Sequence, residues 1–469
     1  MGLELVAFRL YAPYFGYSVY VWGSMISVVM GALACGYALG GRLAGSGRPE
    51  LFLYGAIFLS ALYQTFILFS VRSLLPPLAE QGDFAGVFVA TLLIFGPTMA
   101  ALAATGPLVV HLCSQTACVG SAAGKTYGLS TVGSMAGIIV TSFYLIPGLG
   151  TQATLRVLCL ATFVTAVLGL VTSRPVWMAA ILPAAALLVT PDFGWSENTV
   201  WTGESAYNLI RVMRTGTRTS LVLNSSDSVH TIRNESGPST GYYYDYFALG
   251  PMLVHADRLL VLGMGAGGSI LTTQAVSPGV AIDAVEIDPK VVDAATRWFG
   301  LDRTSPLLHI HTADARPWLA RSRGVYDLVH LDLYQGGPYV PFYLVTKEFF
   351  QLVRSHVSAD GLVMMNVFDP SPNARLLASI AATLRSVFPA VMAVRVSNGN
   401  YMVLAFSQAV SVASVRERLQ NVDASGAFGE LARGAASRIA GVEPSAGALV
   451  FTDDRAPVEE ITRQVLGRE

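Results

Sequence analysis

Charge is what this sequence lacks most. Only 13% of its 469 residues are charged and 53% are apolar, whereas soluble domains carry about 25% charged residues. That excludes an ordinary soluble enzyme over the whole length, and equally a disordered chain. The net charge of −1 offers no strongly basic surface, so no nucleic-acid partner is expected. Cysteine is scarce too. Cys35, Cys113, Cys118 and Cys159 show no metal-ligand spacing, so no metal is expected, and the cysteine-free remainder says nothing of redox compartment.

The shortage of charge is uneven. Residues 1–190 hold seven Lys/Arg and four acids, while the 279 residues that follow hold 23 and 27. The pattern is a membrane half joined to a soluble half, with expected domains at 1–190, 198–250 and 251–469. Apolar runs long enough to cross a bilayer, about 20 residues each, lie near 15–39, 51–72, 87–110, 128–147 and 151–173. A shorter run at 176–190 carries Pro183. No early run is followed by a cleavage site, so no removable signal peptide is expected. Met1 to Arg9 reads like the tail of a preceding helix, which points to a start further upstream. Gly36/Gly40 and Gly133/Gly137 have the spacing that lets helix backbones approach. Ionisable residues are nearly absent from the helix centres, where a transport path would need them; Gln64 is the nearest polar candidate. Gly120 to Thr126 resembles a phosphate-binding loop but has three residues between its glycines where four are required, and it leads into a membrane run. Arg42, Arg48, Lys125 and Arg174 place their loops inside by the positive-inside rule. The soluble half is then inside if 176–190 is re-entrant or interfacial.

Residues 198–247 alternate polar and apolar between Gly/Ser/Asn turns and predict a small antiparallel sheet. From 258 onward short apolar strands alternate with helical stretches, the mark of a parallel α/β sheet. Seven strands are expected, at 259–264, 281–287, 307–312, 326–332, 361–367, 390–396 and 401–407. Helices are expected near 267–277, 289–299, 346–357 and 373–387. The fold class is thus a multi-pass helical membrane domain followed by a seven-stranded, Rossmann-like methyltransferase-type domain with a small N-terminal β-sheet.

The first turn, Gly263-Met264-Gly265-Ala266-Gly267-Gly268, satisfies G-x-G-x-x-G between a strand and a helix. Glu286 ends the second strand, where a carboxylate can accept from both hydroxyls of a ribose. Asp314 ends the third, within reach of an adenine amino group, and Asp332 ends the fourth. A nicotinamide dehydrogenase also begins with glycines and an acid, but it does not need the acids after strands three and four. Asp314 and Asp332 therefore favour an adenosyl-sulfonium cofactor.

On these residues the soluble half resembles the spermidine synthases, and the whole chain resembles their bacterial membrane-fused relatives. The resemblance is carried by Glu204 to Ile210, Val261 to Gly268, Val285 to Pro289, Asp314-Ala315-Arg316, Tyr326 to Val329 and Pro341 to Phe350. Thr452 to Glu459, Gly133 to Gly137 and Leu145 to Gly150 add to it. It implies an aminopropyltransferase in which Gly263, Gly265, Ala266, Gly268, Glu286, Asp314 and Asn208 hold the cofactor. Asp332 would face the amine nucleophile, with Tyr244 and Gln335 supplying neutral hydrogen bonds. Two departures stand out: the family has Asp at the position of Ala266 and a second acid at that of Gln335. Without these acids the co-substrate is either decarboxylated S-adenosylmethionine or S-adenosylmethionine itself. The second would be cleaved to methylthioadenosine by a lyase, or would donate methyl. A non-catalytic membrane sensor or transporter is the third reading. The expected partners are a small-molecule amine or none, membrane lipid, and a second copy in a homodimer. The expected location is a bacterial inner membrane with the soluble half cytoplasmic. His230 and His330 read as structural, Asp453 and Asp454 as a C-terminal cap, and the Tyr242-Tyr243-Tyr244 run as packing apart from Tyr244.

Overall fold

The computed structural model describes residues 1–15, 18–81, 84–171, 198–224, 229–335, 337–396, 399–423, 426–442 and 447–465. The run at 176–190 lies outside them. The chain divides into two compact units, 1–195 with 204–206, and 196–203 with 207–469.

In the first unit five helices are long and apolar enough to cross a membrane: Val19–Ala44, Pro49–Val71, Ala85–Ser114, Val119–Leu149 and Thr151–Leu170. Gly36 and Gly40 are needed where they stand. A Cβ on either would lie 2.2 Å from the backbone oxygen of Ala100 or Ala104, so only glycine lets these two helices touch. Gly133 and Gly137 have the same spacing but meet nothing within 4 Å, so the expected packing role fails for that pair. The phosphate-loop look-alike forms the first two turns of the helix that begins at Val119. Two helices contain a single π turn, Thr91–Phe95 and Thr141–Leu145, each just before a proline (Pro97, Pro147). Proline has no N–H for the carbonyl four residues back, and a wider turn absorbs its ring. The Tyr63 hydroxyl donates to the Leu93 carbonyl beside this turn at 2.5 Å. Gln64 is fully buried and its Nε2 lies within hydrogen-bond distance of the Ser60, Thr98 and Thr162 hydroxyls at 3.1–3.4 Å, a polar join between helices.

The second unit begins with an antiparallel sheet of β1 (Thr199–Glu204), β2 (Leu209–Thr215), β3 (Arg218–Leu223) and β4 (Val229–Asn234) in that order. A larger sheet follows, built from β5 (Arg258–Leu262), β6 (Ala281–Glu286), β7 (Leu308–Thr312), β8 (Tyr326–Leu331), β9 (Val357–Phe368), β10 (Ala390–Arg395), β11 (Asn400–Phe406) and β12 (Ile439–Gly441). Its order is β12-β10-β11-β9-β8-β5-β6-β7. This corrects the expected count of seven to eight: three residues at 439–441 pair antiparallel with β10 and are too short to show a pattern in the sequence. β5 through β9 run parallel, and β11, β10 and β12 join antiparallel. Alternate residues of β5 enter different cores. Leu259 and Val261 pack on one face of the sheet, and Leu260 and Leu262 on the other, as the two-residue period of a strand requires. Order reverses at β5, with β6 on one side and β8 on the other. At such a point the strand ends part and leave a crevice at their carboxyl ends.

Candidate functional site

A cleft with about 910 Å³ of open space, solvent included, lies at the carboxyl ends of β5, β6, β7 and β8. Its floor is the turn after β5. Gly263 and Gly265 have φ of 80° and 54°, and a Cβ on Gly263 would lie 2.3 Å from the Asp332 carbonyl oxygen. Both glycines line the cleft. Ala266 and Gly268 do not. Ala266 is fully buried behind the turn, its N–H donating to the Thr231 hydroxyl at 3.1 Å, and Gly268 packs against Thr231 and Tyr244. The expectation that these two touch a ligand is corrected: the turn rolls them toward β4 as the helix Gly268–Val276 starts.

Glu286 ends β6 in the cleft wall. Its carboxylate accepts from the Gly265 N–H at 2.9 Å and the Asp288 N–H at 3.1 Å, and burial raises its pKa to about 7. Asn208 also lines the wall, donating to Asp288 at 2.8 Å and accepting from Asn224 at 2.8 Å. Asp314 follows β7 and caps the helix Ala315–Arg321, accepting from the Arg316 N–H at 3.0 Å. Its other oxygen accepts from the Tyr343 hydroxyl at 3.0 Å. Asp332 follows β8. Its carboxylate accepts from the Tyr243 hydroxyl at 3.0 Å and from Asn366 Nδ2 at 3.1 Å, and burial lifts its pKa to about 7 against the pull of both donors. Gln335 lies exposed in the lining near Tyr334.

The tyrosine expectation is off by one. Tyr244 is 1% exposed and donates to the Val229 carbonyl at 2.9 Å, outside the cleft wall. Tyr243 lines the cleft and meets Asp332. These residues form a 3₁₀ turn, Tyr243–Ala248, which swings consecutive side chains about 120° apart. The sequence reading also missed Asn366, Tyr343 and the place of His230. Asn366 is a lone amide in the apolar run of β9, the kind of interruption that flags a buried polar partner. His230 lines the cleft, its buried Nε2 has no hydrogen-bond partner among the described residues, and burial lowers its pKa to about 4. It is therefore a neutral donor or acceptor in the wall. The glycine turn, Glu286, Asp314 and Asp332 thus converge on one cleft, as their positions at strand ends imply.

A family model described as the spermine/spermidine synthase domain matches residues 248–411. A probable polyamine aminopropyl transferase of Bifidobacterium longum is 30% identical over 310 residues, covering 60% of this chain and 67% of that protein. The chain belongs to the spermine/spermidine synthase family. By that membership it is a transferase of the polyamine aminopropyltransferase type. A polyamine aminopropyltransferase of Vibrio vulnificus is 35% identical over 135 residues, and the match spans 28% of this chain and 44% of the relative. Among solved structures, a probable spermidine synthase from Corynebacterium glutamicum covers 56% of this chain and 97% of its own, with 21% identity and a TM-score of 0.43.

Proposed function

We propose that the cleft binds decarboxylated S-adenosylmethionine and transfers its aminopropyl group to a small amine. One observation carries the reading. The cleft wall holds three carboxylates, Glu286, Asp314 and Asp332, and no Lys or Arg among its described residues. Such a wall favours a sulfonium with an ammonium tail and disfavours the carboxylate of intact S-adenosylmethionine, which would sit unpaired among like charges. Glu286 would take the ribose hydroxyls and Asp314 the adenine amino group, with Asn208 beside the adenosyl moiety.

The chemistry asks for placement more than for covalent help. The amine nitrogen attacks the methylene carbon bonded to sulfur. The carbon–sulfur bond breaks with its electron pair on sulfur, and methylthioadenosine leaves. Asp332, with a pKa raised to about 7, takes the proton from the new carbon–nitrogen centre; a base poised near neutrality suits that role. Tyr243 and Asn366 hold the carboxylate in position for it. Gln335 at the mouth supplies a neutral contact to the amine.

The five apolar helices are read as membrane-spanning, with the second unit on the cytoplasmic side of a bacterial inner membrane. With 176–190 re-entrant or interfacial, five crossings would leave Arg42, Arg48 and Lys125 on the cytoplasmic side with the second unit, in keeping with the positive-inside rule.

The test is detergent-purified full chain given decarboxylated S-adenosylmethionine with putrescine, or S-adenosylmethionine alone, with products read by mass spectrometry beside Asp332→Asn. Spermidine and methylthioadenosine from the first mixture alone are expected. Methylthioadenosine from S-adenosylmethionine without an amine would replace the transferase with a lyase. Binding without turnover would make the unit a sensor.

A further inference from the structure

Asp453 is remote in sequence from every cleft residue, yet Arg316 links it to two of them, Tyr343 and Asp314. Its carboxylate receives a two-pronged donation from Arg316, Nη1 at 2.8 Å and Nη2 at 2.6 Å, and a third hydrogen bond from the Thr346 hydroxyl at 2.7 Å. Its backbone N–H donates to Glu348 at 3.0 Å. Arg316 Nη1 also donates to the Tyr343 carbonyl at 2.8 Å. Tyr343 and its neighbours Pro341 and Leu344 line the cleft, and the Tyr343 hydroxyl donates to Asp314. The Arg316 N–H donates to the other oxygen of Asp314. Arg316, Tyr343 and Asp314 thus close a ring of contacts, and Asp453 holds that ring from outside through Arg316. The segment holding Asp453 is itself anchored: the Lys347 N–H donates to the Phe451 carbonyl at 2.8 Å, and Phe451 is fully buried.

We propose that Asp453 is a positioning residue for the adenosyl end of the cleft, fixing through Arg316 the segment that sets Tyr343 against Asp314. This rests on the adenosyl reading given above. The planar fork of Arg316 fits a carboxylate in one orientation, and with the same nitrogen it reaches a carbonyl on the cleft wall. A lysine ammonium could not do both. The pair contributes little to global stability. The side chains of Arg316 and Asp453 are 23% and 46% exposed, and an ion pair at a water-exposed surface is worth about 0–1 kcal/mol. Its effect is local, on where the wall stands.

The experiment measures two things on the full chain in detergent: hydrogen exchange of residues 339–346 without ligand, and the dissociation constant of methylthioadenosine. With Asp453→Asn the segment is expected to exchange faster, methylthioadenosine to bind about fivefold more weakly, roughly 1 kcal/mol, and the melting temperature to stay put. Arg316→Lys should give the same result, and the double variant should be no worse than either single one. Exchange and affinity both unchanged in Asp453→Asn would overturn the proposal. So would a fall in melting temperature with faster exchange spread over the whole unit. If the wild-type chain binds no methylthioadenosine, while 339–346 alone loosens in the variant, the positioning role stands and the adenosyl reading falls.

Discussion

Replacing Asp332 by Asn should inactivate the chain and stabilise it in the same pH range. Asp332 accepts two hydrogen bonds and still has its pKa raised from 3.8 to about 7, because burial outweighs the donors. Unfolded, the group loses its proton near pH 4; folded, near pH 7. Between these values the folded chain holds the extra proton, so stability present at low pH is lost as pH rises through that window. The full shift corresponds to at most about 4 kcal/mol. Asparagine carries no charge to bury but turns its NH₂ toward one of the two donors, which returns roughly 1–2 kcal/mol. The variant is thus expected to be about 2 kcal/mol more stable than wild type at pH 8 and no more stable at pH 5. Activity should run the other way. Wild-type kcat/KM rises with pH and levels off above about 7, and the variant loses about 10² to 10⁴ of it. Thermal unfolding of both proteins at the two pH values, beside a pH–rate profile, checks this. The reasoning is refuted by a stability difference equal at pH 5 and pH 8, or by a variant within tenfold of wild-type activity.

Other substitutions separate neighbouring roles. Glu286→Gln should weaken methylthioadenosine binding by about tenfold or more, the worth of one hydrogen bond to a charged group, as read by calorimetry. Tyr243→Phe removes a donor that lowers the Asp332 pKa, so the acid limb of the pH–rate profile should move upward. Tyr244→Phe breaks the bond to the Val229 carbonyl and the hydroxyl contact with Tyr243; it should cost about 1 kcal/mol of stability and move that limb less than Tyr243→Phe does. In the membrane unit, Gly40→Val should abolish folded protein on size-exclusion chromatography after heating, because its Cβ has 2.2 Å to a backbone oxygen. Gly137→Ala, with open space around it, should behave as wild type.

The strand-end acids were legible because each closes an apolar run that only a buried parallel strand explains. The places of Glu286, Asp314 and Asp332 therefore follow from the strand pattern alone. What hid from the sequence was orientation. A 3₁₀ turn decides between Tyr243 and Tyr244, and nothing in three consecutive tyrosines announces it. The glycine turn shows Gly263 and Gly265 to the cleft and hides Ala266, so the missing acid at 266 is a change behind the wall rather than in it. Two glycine pairs of equal spacing have opposite surroundings, because spacing states what a helix can approach and not what stands beside it. His230 reaches the cleft only through the register of β4, which pattern alone leaves open.

The clasp between Arg316 and Asp453 joins residues 137 apart, and this sets an order of assembly. The glycine turn and all three acids precede residue 333 and the lining ends at Leu344, so a chain emerging from synthesis holds the whole lining of the cleft long before it holds Asp453, which steadies it. Contacts that far apart in sequence form late, after the loop between them has been closed at an entropic cost. A nascent or nicked chain lacking Asp453 would carry every acid of the site and still grip the adenosyl end loosely. The cleft is completed by a part of the polypeptide that contributes no group to the reaction.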